Sequence, residues 1–275
     1  MDNNNEVLNK LHSVLFELLC EFDRICKKHN IQYFLDSGTA LGAVRHGGFI
    51  PWDDDLDVGM MRDDYEKFLK VAPNEVGNNF VVLTKEIDVA YNKYHAKLVR
   101  KGTIYPEPGT ESYKYRGIFI DVFPFDKISN DRKTRNVDFK KNQFYLRLLG
   151  LKHKRSFNKN IIKMMLHYLL KLVPKTWLER ELYNLWTKYN KTDSSYVTCY
   201  LYKMLQKRNI FFPLVSLETV KQVKFEDQEF PIMNNYDNYL SIMYGNYMSL
   251  PPMNKREFHC CGKILFDESN VSNDM

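Results

Sequence analysis

The sequence predicts an α+β fold, with a mixed sheet over residues 30–125 followed by a helical, basic C-terminal portion. Three observations predict it. Short apolar runs with strand alternation recur between residues 31 and 122, divided by Gly, Pro and Asp turns. After about residue 130 the apolar spacing changes to three and four residues, the period of a helix. Charge changes at the same place: residues 127–176 carry 14 Lys or Arg against two acids, Asp131 and Asp138. That segment is therefore about +12 within a chain of +6, which places one basic face on a mildly acidic body.

The elements follow in order. Residues 5–29 repeat Val7, Leu8, Leu11, Leu15, Leu18, Leu19, Phe22 and Cys26 at helical spacing, the pattern of a helix laid on a core. Ile31–Leu35 reads as a short strand ending at Asp36-Ser37-Gly38. Thr39–His46 reads as one or two helical turns, broken by Gly47-Gly48 and a turn at Pro51. Asp55–Gly59 alternates as a strand. Asp63 or Asp64 is placed to cap a helix over Tyr65–Val71. Phe80–Leu83, Tyr94–Arg100 and Gly117–Val122 are further strands. Helices are expected over 131–150, 158–173 and 175–190, with Pro174 dividing the last two. Val220–Phe225 and Gln228–Phe230 read as a hairpin and 235–243 as a short helix. Pro251-Pro252 opens an irregular tail that frays over 267–275. The expected division is residues 1–126 as a catalytic core and 127–275 as a helical basic subdomain whose C-terminal segment completes the site.

Composition bounds the function classes. The chain of 275 residues is 44% hydrophobic and 27% charged, near the globular average, which excludes a disordered, collagenous or low-complexity protein. Five cysteines with no CxxC, and no secretory signal pattern, point to a reducing compartment and a cytoplasmic location. No run of about 18 apolar residues reads as a transmembrane helix. The basic segment holds no nucleic-acid-binding motif, so a nucleic acid is not the expected partner.

The chemistry lies in Leu35-Asp-Ser-Gly-Thr-Ala-Leu-Gly-Ala-Val-Arg-His-Gly-Gly-Phe-Ile-Pro-Trp-Asp-Asp-Asp-Leu-Asp-Val58. On a strand Asp55 and Asp57 share a face about 6.5 Å apart, while Leu56 and Val58 point into a core. Two such carboxylates repel by roughly 3 kcal/mol at an effective dielectric near 20. A divalent cation between them removes that cost, and hard oxygen ligands favour Mg²⁺ or Mn²⁺. A third acid, Asp121, stands alone in the apolar run Ile118-Phe-Ile-Asp-Val-Phe123 and is costly there unless paired or metal-bound. The alternative, a solvated acidic loop, is weakened by that company. Asp53 and Asp54 stay ambiguous. Gly38-Thr39 before a helix offers backbone N–H groups and a hydroxyl to a phosphate, and Arg45 can clamp one.

These stretches resemble the LicD family, which counts fukutin and fukutin-related protein among its distant relatives. Tyr33–His46 with Phe49–Asp57 is similar to the family's first block, Gly117–Pro124 to its second, and Tyr244–Pro252 with Arg256 and His259 to its closing block. The resemblance spans about residues 30–260 and departs at Ala40-Leu41, where relatives often carry two leucines. It implies a polymerase-β-like nucleotidyltransferase core, with Gly38-Thr39 as the turn and Asp55, Asp57 and Asp121 as the metal-binding acids. It implies metal-dependent transfer of a phospho-alcohol, phosphocholine foremost, from CDP-choline or another CDP-linked donor. The acceptor implied is a hydroxyl of a surface glycan or a lipid-linked precursor, with release of CMP. Lys97, together with Arg100 and Thr103, falls where the family carries a polar block; Arg256 and His259 would close the site.

Other readings stay open. A true nucleotidyltransferase would use the same acids and release pyrophosphate, and a basic binding module without catalysis would need only residues 127–176. Trp52, Tyr65, Tyr91, Tyr94, Tyr105 and Tyr113 are available to cage a choline ammonium. Cys260 and Cys261 with His259 invite a zinc reading that no second ligand pair supports. Residues 158–173 carry a basic stripe, Lys159, Lys163, His167 and Lys171, opposite an apolar face, and would suit peripheral contact at the inner face of a membrane.

Overall fold

The computed structural model describes residues 2–153, 165, 168–170, 172–202, 205, 210–256 and 260–267. The chain divides into two compact units, Met1–Pro124 with Val215–Met275, and Phe125–Leu214.

The first unit is built on a mixed sheet. Its strands are β1 (Phe34–Leu35), β2 (Asp57–Met61), β3 (Phe80–Leu83), β4 (Ala96–Arg100) and the start of β5 (Phe119–Ile128), with β8 (Val220–Phe225) and β9 (Gln228–Met233) from the late chain. Their order is β3-β4-β5-β2-β1-β9-β8. Most neighbours are antiparallel, but Leu35 pairs with Ile232 in parallel, so β9 joins the sheet beside β1 from almost 200 residues away. Helix α1 (Asp2–Lys28) packs Leu11, Leu15, Leu18, Leu19, Phe22 and Ile25 to 1% exposure or less, as its apolar spacing requires. Helices α2 (Ser37–His46), α3 (Arg62–Glu75) and α6 (Tyr236–Tyr244) complete this unit.

The second unit carries α4 (Arg132–His153) and α5 (Lys175–Thr187), with β6 (Tyr196–Thr198) and β7 (Phe212–Pro213). Strand β6 pairs with Asp126–Ile128 of β5 and with β7. Its core holds an Asn142 side chain that donates to the Tyr200 carbonyl at 3.0 Å and accepts from the Trp186 indole at 2.7 Å.

Several boundaries differ from expectation for physical reasons. The expected strand Ile31–Leu35 shrinks to Phe34–Leu35, because the backbone of Ile31 is taken by the end of α1, its N–H donating to the Cys26 carbonyl at 2.9 Å. Helix α2 starts two residues early, because Asp36 caps it. Neither Asp63 nor Asp64 caps α3: the cap is Met61 without a side-chain bond, and the two acids lie in the first turn, where the helix dipole favours them. Strand β2 begins at Asp57 rather than Asp55. Strand β5 runs six residues past Val122, and β6 and β7 were not expected at all. Most of the proposed helix 158–173 lies outside the described residues.

Candidate active site

The site is assembled where β1, α2, the loop 47–56, β2, β4 and β5 meet in the first unit. Asp36 follows β1 and is fully buried. Its carboxylate accepts from the Ser37 N–H at 2.8 Å and from the Tyr239 hydroxyl, and its own N–H donates to the Asp57 carbonyl at 3.0 Å. Ser37 enters the helix at φ +46°, a left-handed conformation that costs a non-glycine residue about 1–3 kcal/mol unless its surroundings hold it. The Asp36 cap supplies that hold. Gly38 comes next, and a Cβ there would stand 2.8 Å from the Asp53 carboxylate. Its lack of a side chain thus admits Asp53 to the helix entrance. The Thr39 hydroxyl accepts from the Asp57 N–H at 2.9 Å, tying α2 to the first residue of β2.

Burial alternates through the acidic run even before the ladder begins. Asp54, Leu56 and Val58 are 1% exposed or less, whereas Asp53, Asp55 and Asp57 stay partly open. The ambiguity at 53 and 54 is thereby resolved. Asp54 points inward, accepting from the Tyr105 hydroxyl and the Cys260 N–H, each at 2.7 Å, and is a structural anchor. Asp53, Asp55 and Asp57 line a cavity of about 550 Å³ together with Gly38, Arg45, Trp52 and Tyr244, among others. That volume suits a small-molecule ligand.

Asp121 arrives from the neighbouring strand. Its N–H donates to the Leu56 carbonyl at 2.9 Å, and Lys97 of β4 is its cross-strand partner. The His95 Nε2 lies 2.9 Å from Asp121 Oδ1 and the Lys97 ammonium 3.6 Å from it. Lys97 is 2% exposed, pairs with Glu107 at 2.7 Å and stands 3.1 Å above the Phe119 ring. Loss of solvent works against an ionised Asp121, but Lys97 and His95 outweigh it and hold its carboxyl down at about 2. Asp57 goes the other way. Loss of solvent pushes its carboxyl well above the usual carboxylate range, and the charges of Asp55, Asp121, Asp36 and Asp53 push it further. Tyr244, on the same cavity wall, is pushed up by burial and by those of Asp36, Asp57, Asp53 and Asp55.

This excess of negative charge is the test of fit for a metal. The charges acting on Asp57 are the carboxylates of Asp55, Asp121, Asp36 and Asp53, hard oxygen donors of the kind Mg²⁺ or Mn²⁺ prefers. A divalent cation would relieve the repulsion that raises Asp57. Among the described residues no group of three or more His, Cys, Asp or Glu is gathered to hold an ion by protein ligands alone. That is the situation Mg²⁺ tolerates, because it keeps waters and takes substrate phosphate oxygens beside one or two carboxylates.

The other expected residues fall as follows. Arg45 lines the cavity; one guanidinium nitrogen donates to the Tyr247 carbonyl at 2.8 Å, and its Nε to His46 at 3.0 Å. Arg256 stacks its guanidinium 4.0 Å from the Trp52 ring, and its buried Nε has no partner among the described residues. His259 lies outside the described residues. Arg100 pairs with Glu17 at 3.2 Å, and Thr103 braces the backbone at Ile118 with a 2.9 Å bond. Of the six aromatics offered for a cage, Tyr65, Tyr91, Tyr105 and Tyr113 are at most 5% exposed and belong to the core, while Trp52 faces the cavity. Cys260 and Cys261 are free thiols that donate to the Gly262 and Pro106 carbonyls.

Sequence reasoning missed Asp36, His95 and Glu107, and placed Tyr244 only as the start of the closing block, without a role. A signal existed for His95: in the expected strand Tyr94–Arg100 it has the parity of Lys97, although in the structure it stands one residue ahead of β4. It also missed His12 of α1, whose Nε2 lies 2.7 Å from the Asp53 carbonyl and whose ring stacks on Phe49 at 4.2 Å.

Known proteins share much of this sequence. The LicD/FKTN/FKRP nucleotidyltransferase domain matches residues 30–175, more than half of the chain. The lipopolysaccharide cholinephosphotransferase LicD of Haemophilus influenzae is 29% identical over 262 residues, covering 92% of this chain and 95% of that protein. An uncharacterised protein of Rickettsia typhi is 32% identical over 42% of the chain and 43% of its own length. The ribitol 5-phosphate transferase FKRP of Homo sapiens is 40% identical over 48 residues, 18% of this chain and 10% of its own. The acids, the capped turn before them and this breadth of similarity lead to one assignment: the chain belongs to the LicD/FKTN/FKRP nucleotidyltransferase-domain family and is a transferase of phosphate-containing groups.

Proposed function

We propose that the protein moves a phospho-alcohol, phosphocholine foremost, from a CDP-activated donor to a hydroxyl of a surface glycan or its lipid-linked precursor, releasing CMP. One observation carries this reading: a cavity crowded with carboxylates, in a chain similar along nearly its whole length to a protein named for cholinephosphate transfer to lipopolysaccharide.

Asp55 and Asp57, with Asp121 on the neighbouring strand, would offer one or two carboxylates to Mg²⁺ or Mn²⁺, the rest of its shell being water and donor phosphate oxygens. When bound, the ion neutralises charge on the donor diphosphate and on the departing CMP. The chain's own residues do the rest. The α2 N-terminus lines the same cavity at Ser37 and Gly38 and would offer backbone N–H groups to the donor phosphates, with Thr39 behind it holding the Asp57 N–H. Arg45 stands on the same wall and adds a fixed positive charge. Arg256 closes over Trp52, and His259 is assigned to the same closing segment. Lys97 keeps Asp121 ionised. A carboxylate held near 2 is a weak base, so Asp121 accepts a hydrogen bond from the acceptor hydroxyl and orients it rather than taking its proton. The acceptor oxygen then attacks the distal phosphorus as the bond to CMP breaks on the opposite side, and the hydroxyl proton passes to water.

The test is incubation with Mg²⁺, a panel of CDP-alcohols and an acceptor glycan, read as CMP, with thermal-shift binding of each donor alongside. CMP from one member of the panel is expected. Pyrophosphate from a nucleoside triphosphate, with every CDP-alcohol left intact, would replace this reading by nucleotidyl transfer.

A further inference from the structure

The segment 125–214 carries a surface that neither the catalytic reading nor its own packing explains. Helix α4 satisfies its interior with Arg135, Asp138, Phe139, Asn142, Leu148 and Leu149, all at most 6% exposed. On its other side Lys133, Val137, Lys140, Phe144 and Arg147 follow at spacings of four, three, four and three residues, and all face solvent. Val137 is 50% exposed and Phe144 54%. A solvent-facing helix stripe is ordinarily polar throughout. Here large apolar side chains are interleaved with cations.

Exposed apolar side chains recur further along the chain. Met165, Leu169 and Leu172 recur at helical spacing and are 58%, 58% and 76% exposed. Trp177 is 40% exposed, with its ring 6.2 Å from that of Tyr145 on α4. This stretch lies within the 50 residues that carry about +12. None of its described helices is long and apolar enough to cross a membrane.

We propose that this face of the segment 125–214 docks on the surface of an anionic bilayer, with Phe144, Leu169, Leu172 and Trp177 entering the headgroup boundary and Lys133, Lys140 and Arg147 meeting the lipid phosphates. Charge complementarity selects this occupant. A second copy would bring an equal positive charge against the first. A nucleic acid would satisfy the cations but offers nothing to the exposed aliphatic side chains. A bilayer interface answers both, as it does for basic amphipathic helices that lie in its plane.

The test is flotation of the full-length protein with vesicles of equal parts phosphatidylglycerol and phosphatidylcholine, against phosphatidylcholine alone. No donor or metal is present, so the outcome is independent of the catalytic reading. Binding to the anionic vesicles at low salt, weakened by added salt, is expected. Each cation lost costs roughly fivefold in affinity, so K140E/R147E weakens binding by more than about tenfold. L169E/L172E weakens it similarly with the thermal midpoint unchanged, because both side chains are already in water. Failure to float on anionic vesicles would overturn the proposal, as would equal binding to neutral vesicles or wild-type binding by both variants. A dimer broken by L169E/L172E, in a protein that binds no vesicle, would give this face to a second copy and overturn it as well.

Discussion

Asp57 sets function against stability most sharply. Its carboxyl is held well above its ordinary range by loss of solvent and by four neighbouring acids. A raised acid favours the folded state while protonated, so its contribution is full below the unfolded value near 3.9 and is lost as pH rises towards the folded value. Asp121 has the opposite sign: held at about 2 by Lys97 and His95, it stabilises above roughly pH 4 and loses that contribution as pH falls through 2. Asp57→Asn therefore removes a repulsion. In metal-free protein at neutral pH its thermal midpoint is expected to equal or exceed the wild type, while turnover falls by at least about a thousandfold. Calorimetry beside a CMP assay checks both halves; a large drop in midpoint would show that Asp57 supports the fold. Thr39→Val keeps the shape but removes the acceptor for the Asp57 N–H. It is expected to cost about 1–3 kcal/mol in denaturant unfolding, the usual penalty for an orphaned buried donor. The burial alternation of the acidic run was legible in the sequence because a period of two gives each residue a side: Asp55 and Asp57 open, Leu56 and Val58 closed. Asp36 was not legible, since a residue that ends a strand and caps a helix has no periodic signature. Tyr244 was not either, because its place near Asp57 depends on α6, which is distant in sequence.

At the scale of elements, the family match begins at residue 30, yet the structure begins earlier. Helix α1 buries six apolar side chains almost completely, worth roughly 10 kcal/mol by transfer at 1.5–3 kcal/mol each, comparable with a whole domain's net stability. Strand β9 supplies the parallel partner of β1 from the other end of the chain. Residues 30–175 expressed alone are therefore expected to aggregate, and a soluble, cooperatively unfolding fragment would contradict this placement of the core. Helix α1 also reaches the site, because His12 meets both the Asp53 carbonyl and the Phe49 ring. His12→Ala is expected to lower turnover about tenfold or more with a thermal midpoint only a few degrees lower. His12→Gln, which keeps an N–H donor, should recover part of that rate. Helices and hairpins with clean periods were readable from the sequence: α1, α4, α5, β3 and the β8–β9 hairpin fall close to their expected places. The three- and two-residue strands β6 and β7 were not, because so few residues carry no period and form only through their pairing partners.

At the scale of the whole molecule, the sequence divides by charge and period near residue 127, and compactness divides the structure at Phe125. The C-terminal chain does not stay with the helical part, because Val215–Met275 returns to the first unit and adds β8, β9 and α6 to it. That return could not be read locally: a hairpin's own sequence gives its pairing but not the sheet it joins. It brings Tyr244 and the Tyr247 carbonyl to the wall that Asp55, Asp57 and Arg45 share. The account stands on that wall being a metal-dependent phosphotransfer site. Phosphorus NMR of one reaction, with Mg²⁺, CDP-choline and an acceptor glycan, tests it most directly. The account predicts CMP and a new phosphodiester appearing in equal amounts, abolished by EDTA and absent with Asp57→Asn. Equal turnover in that variant, or in the presence of EDTA, would contradict it.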